Sequence, residues 1–377
     1  MSVSGDTAMN LRKLERAAEA FRAACGKHFP GGQLVVRRFG QPVLNIYSGL
    51  ARGWRDESAP LAVDDATLFP VYSCGKPLAA TLIALLEQRG LLTLDQPLAR
   101  TLPEFAQAGK GEITLRDILT HRAGLQLGSL THDHSLLADH PRLWQTLAEK
   151  PAHYPRGTFA YMPGEYGIVI EELVRRLTGQ PFAEVFAQEL AQPLDLSQLR
   201  YGYAGRPPES IARCYWLGKK KCMVAGINVA ENFEALNNHA TMFAAANPAF
   251  SLICNADSIA RFYDFLLAGG KTPDGRQLVD EHLIRQYTQK QTGGWNKSVN
   301  AYLNLSLGFM LGSRLPSFYD WWNSGSCFGH PGIFSSLAFA DHATGLSVAM
   351  ITNGNVGMGE FFKRCVSINH LLRSACR

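Results

Sequence analysis

Two apolar, strand-like pairs at opposite ends of a helix-rich middle constrain this chain most. Residues 33–39 and 42–48 are apolar-rich runs with a Gly-Gln turn between them, the signature of a hairpin. Residues 336–340 and 346–352 form a second such pair. A lone hairpin is marginal in water, so the two pairs are expected to share one antiparallel sheet. Leu11, Leu14, Phe21 and Ala24 trace an amphipathic helix over residues 10–25, and residues 359–374 supply another; both should flank that sheet. Between the ends, residues 77–249 carry helical periods broken by Pro/Gly loops. The expected fold class is α/β (α+β): an antiparallel sheet lobe from residues 1–76 and 250–377, flanked by those helices, and an inserted mostly helical lobe over 77–249.

The middle begins with the most chemically suggestive segment, Phe69-Pro70-Val71-Tyr72-Ser73-Cys74-Gly75-Lys76. Leu78, Leu82, Leu85 and Leu86 then recur at helical spacing until Gly90. Residues three apart on a helix share a face, so Lys76 can reach Ser73. A serine hydroxyl is a weak nucleophile without such a base. The first helical turn also presents unpaired N–H groups, which favour developing negative charge and should depress the lysine pKa. Taken alone, Ser-Xaa-Xaa-Lys equally fits an exposed helix start. A polar pair opening an otherwise apolar helix, however, calls for a mutual hydrogen bond or a site.

From here the chain resembles the serine β-lactamase and penicillin-binding-protein superfamily, in particular its class C-like esterase and transacylase branch. The resemblance runs through Leu91-Leu92-Thr93-Leu94-Asp95-Gln96-Pro97 and the stretch from Ile113 to Leu125, Ile-Thr-Leu-Arg-Asp-Ile-Leu-Thr-His-Arg-Ala-Gly-Leu. Tyr161, ahead of a helix with Val169, Leu173, Val174 and Leu177 ended by Gly179, resembles the family's catalytic tyrosine. Gly329-His330-Pro331-Gly332, ahead of an apolar run, resembles its third motif. The resemblance implies catalysis by Ser73, Lys76 and Tyr161. It also implies an oxyanion hole from the N–H groups of Ser73 and Ile333, substrate contacts from His330, Gly332 and Pro163, and an active site in a cleft between the two lobes. Read singly, Tyr161 is equally a half-buried aromatic and His330 a turn residue.

Departures from the family pattern bear on the substrate. Pro163 stands where the family usually has Asn or Ser, so no side-chain amide is offered to a substrate amide. His330 stands where a lysine often suits a substrate carboxylate; it charges at physiological pH only if its pKa is raised. Cys74, Gly75 and Pro77, with Pro193-Leu194-Asp195-Leu196, are smaller deviations. The expected activity is therefore an esterase-type serine hydrolase or acyltransferase, acting on a small acyl ester or thioester with water, an alcohol or an amine as acceptor. Alternatives are a β-lactamase or D-amino-acid peptidase, and a non-catalytic binding protein on the same fold.

Other signals lead elsewhere. Thr131-His132-Asp133-His134, with His140, has metal-capable side chains but no ligand spaced to complete a tetrahedral site. Gly269-Gly270-Lys271-Thr272 imitates a phosphate loop without its leading glycine, since Phe265 stands there, and reads as a helix end. Val71 breaks the Gly-Xaa-Ser-Xaa-Gly elbow. No cofactor or metal is called for. In a chain of 377 residues the formal charge of +5 is modest, and its tightest cluster, Lys219-Lys220-Lys221, lacks interleaved aromatics, so no nucleic acid partner is expected. No run approaches a membrane span or a secretory signal. Eight scattered cysteines then suggest reduced thiols and a cytoplasmic setting. Cys74, at a helix start, is either a low-pKa thiol or a small buried residue. Tyr319, Trp321 and Trp322 are candidates for an acyl pocket or for packing.

Overall fold

The computed structural model describes residues 9–55, 59–128, 134–203 and 211–376. Nine strands make one antiparallel sheet: β1 (Gly31–Arg38), β2 (Gln41–Arg52), β3 (Leu61–Ala62), β4 (Thr292–Asn296), β5 (Ala301–Leu305), β6 (Met310–Leu311), β7 (Cys327–Gly332), β8 (Ser336–Asp341) and β9 (Leu346–Thr352). In space they run β4-β5-β6-β7-β8-β9-β1-β2-β3. The two expected strand pairs are therefore neighbours, joined by β1 against β9 from Gly32 opposite Thr352 to Arg38 opposite Leu346.

Period-two patterning buries both faces of the centre. Leu34, Val36, Leu337, Phe339, Val348 and Met350 point to one side, where α1 (Leu11–Ala24) and α7 (Met358–Ser374) cover them. Val35, Ala338, Ala340, Ala349 and Ile351 point to the other, into the core shared with α2 (Lys76–Gln88), α3 (Glu165–Thr178) and α6 (Ala256–Leu267). Two short helices, α4 (Phe233–Asn237) and α5 (Ala240–Ala244), lie between α3 and α6 in the sequence. The strands β4 to β6 were not anticipated. Thr292-Gly293-Gly294-Trp295-Asn296 carries too much glycine and asparagine to read as a strand, and pairing with β5 holds it in place.

The glycine signals fall where helices end. Gly90 has φ +72° one residue beyond the C-cap of α2. Gly179 caps α3 in the left-handed region, and Gly269 and Gly270, both at positive φ, follow α6. The Gly-Gly-Lys-Thr segment is thus a helix stop.

Candidate active site

Ser73 sits in a 3-10 turn, Tyr72–Gly75, that runs directly into α2. Tyr72 enters the turn at φ +50°, a left-handed conformation that costs a non-glycine residue on the order of 1 kcal/mol or more. Packing holds it there: Tyr72 is buried and its hydroxyl donates to Cys214 Sγ at 3.2 Å. As the second residue of the turn, Ser73 has a backbone N–H with no intrahelical acceptor.

Three functional groups meet at Ser73 Oγ. Lys76 Nζ lies 3.0 Å away, and the Tyr161 hydroxyl donates to it at 3.0 Å. Lys76 is fully buried, and its Nζ also donates to the carbonyls of Pro163 at 3.1 Å and Ala249 at 2.9 Å. Burial pulls its pKa down to about 7, against the opposing pull of Glu165 and Cys74. Desolvation is thus the main cause, rather than the helix terminus expected from the sequence. Burial also pushes the Tyr161 phenol well above its usual range, so it stays protonated across the physiological range.

Several residues without an assigned role in the sequence hold this cluster. The carboxylate of Glu165, itself buried, accepts from Leu127 N at 2.6 Å and Gly164 N at 3.3 Å. Asn247 donates to the Gly164 carbonyl and accepts from Ala249 N, tying together the two segments whose carbonyls receive Lys76. Asn296 on β4 accepts from Tyr161 N at 3.0 Å. The His121 ring stands 4.4 Å from that of Tyr161, and its Nδ1 accepts from Met162 N. Burial, with Lys76 and His330 nearby, holds His121 neutral. A charged residue in the buried first turn of α3 was the available clue for Glu165; the asparagines act through loop geometry that leaves no periodic trace.

The remaining predicted residues line the far side. Gly332 ends β7 against the nucleophile turn: a Cβ there would stand 2.1 Å from the Val71 carbonyl oxygen, so only glycine permits the approach. Ile333 follows directly, beyond the last paired residue of β7. His330 is buried, and desolvation followed by the charge of Lys76 takes its pKa down to about 3. Its Nδ1 donates to the Pro331 carbonyl at 2.7 Å, leaving Nε2 buried with no hydrogen-bond partner among the described residues. Pro163 contributes its carbonyl to Lys76 and its ring to the cleft wall.

Cys74 points away from the cleft: its thiol donates to the His330 carbonyl, and burial raises its pKa to about 12. It is a packing residue, the small buried residue of the two readings, and its thiol pKa is not lowered. Tyr319 packs on Phe339 and donates to the Met310 carbonyl, Trp321 meets Phe362, and Trp322 is exposed. None of the three lines the cleft beside Ser73. His132 and Asp133 lie outside the described residues, as does the side chain of His134; His140 pairs with Glu171 and Glu172. No group of three or more metal-capable side chains is assembled among the described residues.

Comparison with known proteins puts this molecule among the serine hydrolases of the β-lactamase-like class. The chain belongs to the Beta-lactamase family, whose model matches residues 11–369. It is 28% identical to the esterase/beta-lactamase LipL of Mycobacterium tuberculosis over 93% of this chain and 83% of that one. It is 27% identical to esterase EstB of Burkholderia gladioli over 86% of each. Among solved structures it resembles a penicillin-binding-protein homolog from Caulobacter crescentus, with TM-score 0.81 at 25% identity, covering 100% of this chain and 99% of the other. A family VIII carboxylesterase superposes with TM-score 0.79 at 24% identity, over 97% and 98% of the two chains.

Proposed function

We propose that the protein is an esterase-type acyl hydrolase or acyltransferase that forms a covalent ester on Ser73, in a cleft between a sheet lobe (residues up to 76 and from 250 on) and a helical lobe (77–249). The carrying observation is the meeting of Lys76 Nζ and the Tyr161 hydroxyl at Ser73 Oγ, both at 3.0 Å. A neutral lysine amine has two N–H donors and one lone pair. With both donors taken by the Pro163 and Ala249 carbonyls, the lone pair is left for the Ser73 proton.

In this reading Ser73 Oγ attacks the ester carbonyl carbon as its proton passes to Lys76. The carbonyl oxygen, now an oxyanion, takes hydrogen bonds from the N–H groups of Ser73 and Ile333. As the carbon–oxygen bond to the leaving group breaks, the proton returns through the Tyr161 hydroxyl to that oxygen. Water, or an alcohol or amine, then takes the acyl group from Ser73 by the reverse sequence.

Esters fit this site better than carboxylate-bearing β-lactams or D-amino-acid peptides. His330 is held neutral, no lysine or arginine other than Lys76 stands beside Ser73 or in the cavity lining there among the described residues, and Pro163 has no side-chain amide. The relatives' names agree in part: LipL is called an esterase and β-lactamase, EstB an esterase, and one structural neighbour a hydrolase with promiscuous acyltransferase activity. None of the eight cysteines forms a disulfide, which suits a reducing compartment such as the cytoplasm. No helix among the described residues is long and apolar enough to cross a membrane.

The test is intact-protein mass after brief exposure to a p-nitrophenyl ester, with Ser73→Ala alongside. An acyl adduct and a p-nitrophenol burst in the wild type alone support the assignment. Unchanged turnover by Ser73→Ala overturns it.

A further inference from the structure

Ser73 borders two surroundings. Its Oγ meets Lys76 and Tyr161. It also lines, with Ile333, a cavity of about 130 Å³ walled by Val229, Phe233, Leu236, Met242 and Phe250, with neither Lys76 nor Tyr161 in its wall. Phe233 and Leu236 come from α4 and Met242 from α5. Asn237 alone adds an amide, whose Nδ2 is already committed to the Phe233 carbonyl. Tyr72, also in the wall, has its hydroxyl committed to Cys214.

We propose that this cavity is the acyl-binding site and that the enzyme selects uncharged, apolar acyl groups of about six carbons, comparable to the benzene ring held by an apolar cavity of about 150 Å³. The inference rests on the acyl-Ser73 reading above and adds the substrate class. Two features assign the acyl group, rather than the alcohol, to the cavity. The acyl carbon must lie within reach of both the Ser73 and Ile333 N–H groups, and Ser73 and Ile333 both line the cavity. The leaving oxygen must face Tyr161, which lies outside it. A terminal carboxylate on the acyl chain meets no cation among the described residues of that wall and keeps its full desolvation penalty.

The size filter lies in α4 and α5. Leu236 and Met242 are buried, so bulk added or removed at either position changes the room left for the chain. Because the acyl group stays on Ser73 after the alcohol departs, the same walls act on acylation and deacylation, and chain length is read in both the burst and the steady state.

The experiment measures kcat/KM for p-nitrophenyl acetate, butyrate, hexanoate, decanoate and the carboxylate-ended adipate monoester, with wild type, Leu236→Phe and Met242→Ala. A parallel series holds the acyl group at acetate and lengthens an aliphatic alcohol. Hexanoate is expected to exceed acetate on the order of 100-fold, from about four additional buried methylenes, and to exceed the adipate monoester by at least as much. Leu236→Phe should shift the optimum toward acetate and Met242→Ala toward decanoate. These within-variant ratios are insensitive to how much of each variant folds. A hexanoate-to-acetate ratio below about threefold in the wild type, a preference that follows the alcohol, or ratios unmoved by both substitutions overturns the cavity assignment while an acyl adduct on Ser73 keeps the mechanism. Absence of any adduct with every ester overturns both.

Discussion

At pH 7 a lysine whose pKa is about 7 holds its proton in about half of the molecules, so small changes around Lys76 set how much enzyme is ready to act. The groups facing it are Glu165, Cys74, His121, His330, Tyr161 and Tyr166. Cys74, Tyr161 and Tyr166 keep their protons well above neutrality, and His121 and His330 stay neutral. Burial also raises the Glu165 carboxyl above its usual range, so Lys76 and Glu165 are the two groups here whose titration bears on the site. In the proposed mechanism Lys76 must be unprotonated, so kcat/KM should fall as pH drops through about 7 and plateau above it. Glu165→Gln removes the negative charge that favours the ammonium form, and the acid limb should move to lower pH. A pH–rate profile checks both, and an acid limb unmoved by the substitution would separate Glu165 from the base. The contact of Lys76 with Ser73 was legible because residues three apart at a helix start share a face. Glu165 and Asn247 were not, because their contribution depends on turns that meet only in the folded chain.

Among the elements, the packing of β7 against the Tyr72–Gly75 turn sets where the Ile333 N–H, the proposed second oxyanion donor, stands relative to Ser73. The contact at Gly332 is backbone to backbone, with Val71 O, so a Cβ there cannot be relieved by a rotamer change. Gly332→Ala should destabilise the fold by about 1–3 kcal/mol. It should also lower kcat more than it raises KM, because Ile333 N–H moves with the strand; urea melts and steady-state kinetics measure the two effects. The strand pairs at the two ends and helices α1 and α7 were readable to within a few residues, since alternation and amphipathic periods declare themselves over such lengths. The β4–β5 hairpin was hidden by Gly293, Gly294 and Asn296, and Asn296 is the residue that fixes the Tyr161 backbone. Conformational demands at a site thus erased the pattern that would have announced the strand.

Over the whole molecule, α7 is anchored to the sheet by charge as well as by packing. The buried Arg373 guanidinium donates to Asp341 at 2.8 Å and to Asp320, linking α7 to the end of β8 and to the loop before β7. Arg373→Ala leaves two buried carboxylates without their cation, and a loss of about 3–5 kcal/mol is expected by chemical denaturation. The pH optimum of the surviving folded fraction should be unchanged, since Arg373 is not among the groups that act on Lys76.

The hydrogen-bonded seam between β1 and β9 has a consequence for biosynthesis. Its two sides are separated by more than 300 residues of chain, so the sheet's centre cannot close until residue 352 has left the ribosome. Ser73 and Lys76 are made well before Gly332 and Ile333. A nascent chain thus carries the proposed nucleophile for a long stretch of translation without the strand that would complete the proposed oxyanion donors, and products truncated before β7 should be inert as well as unfolded.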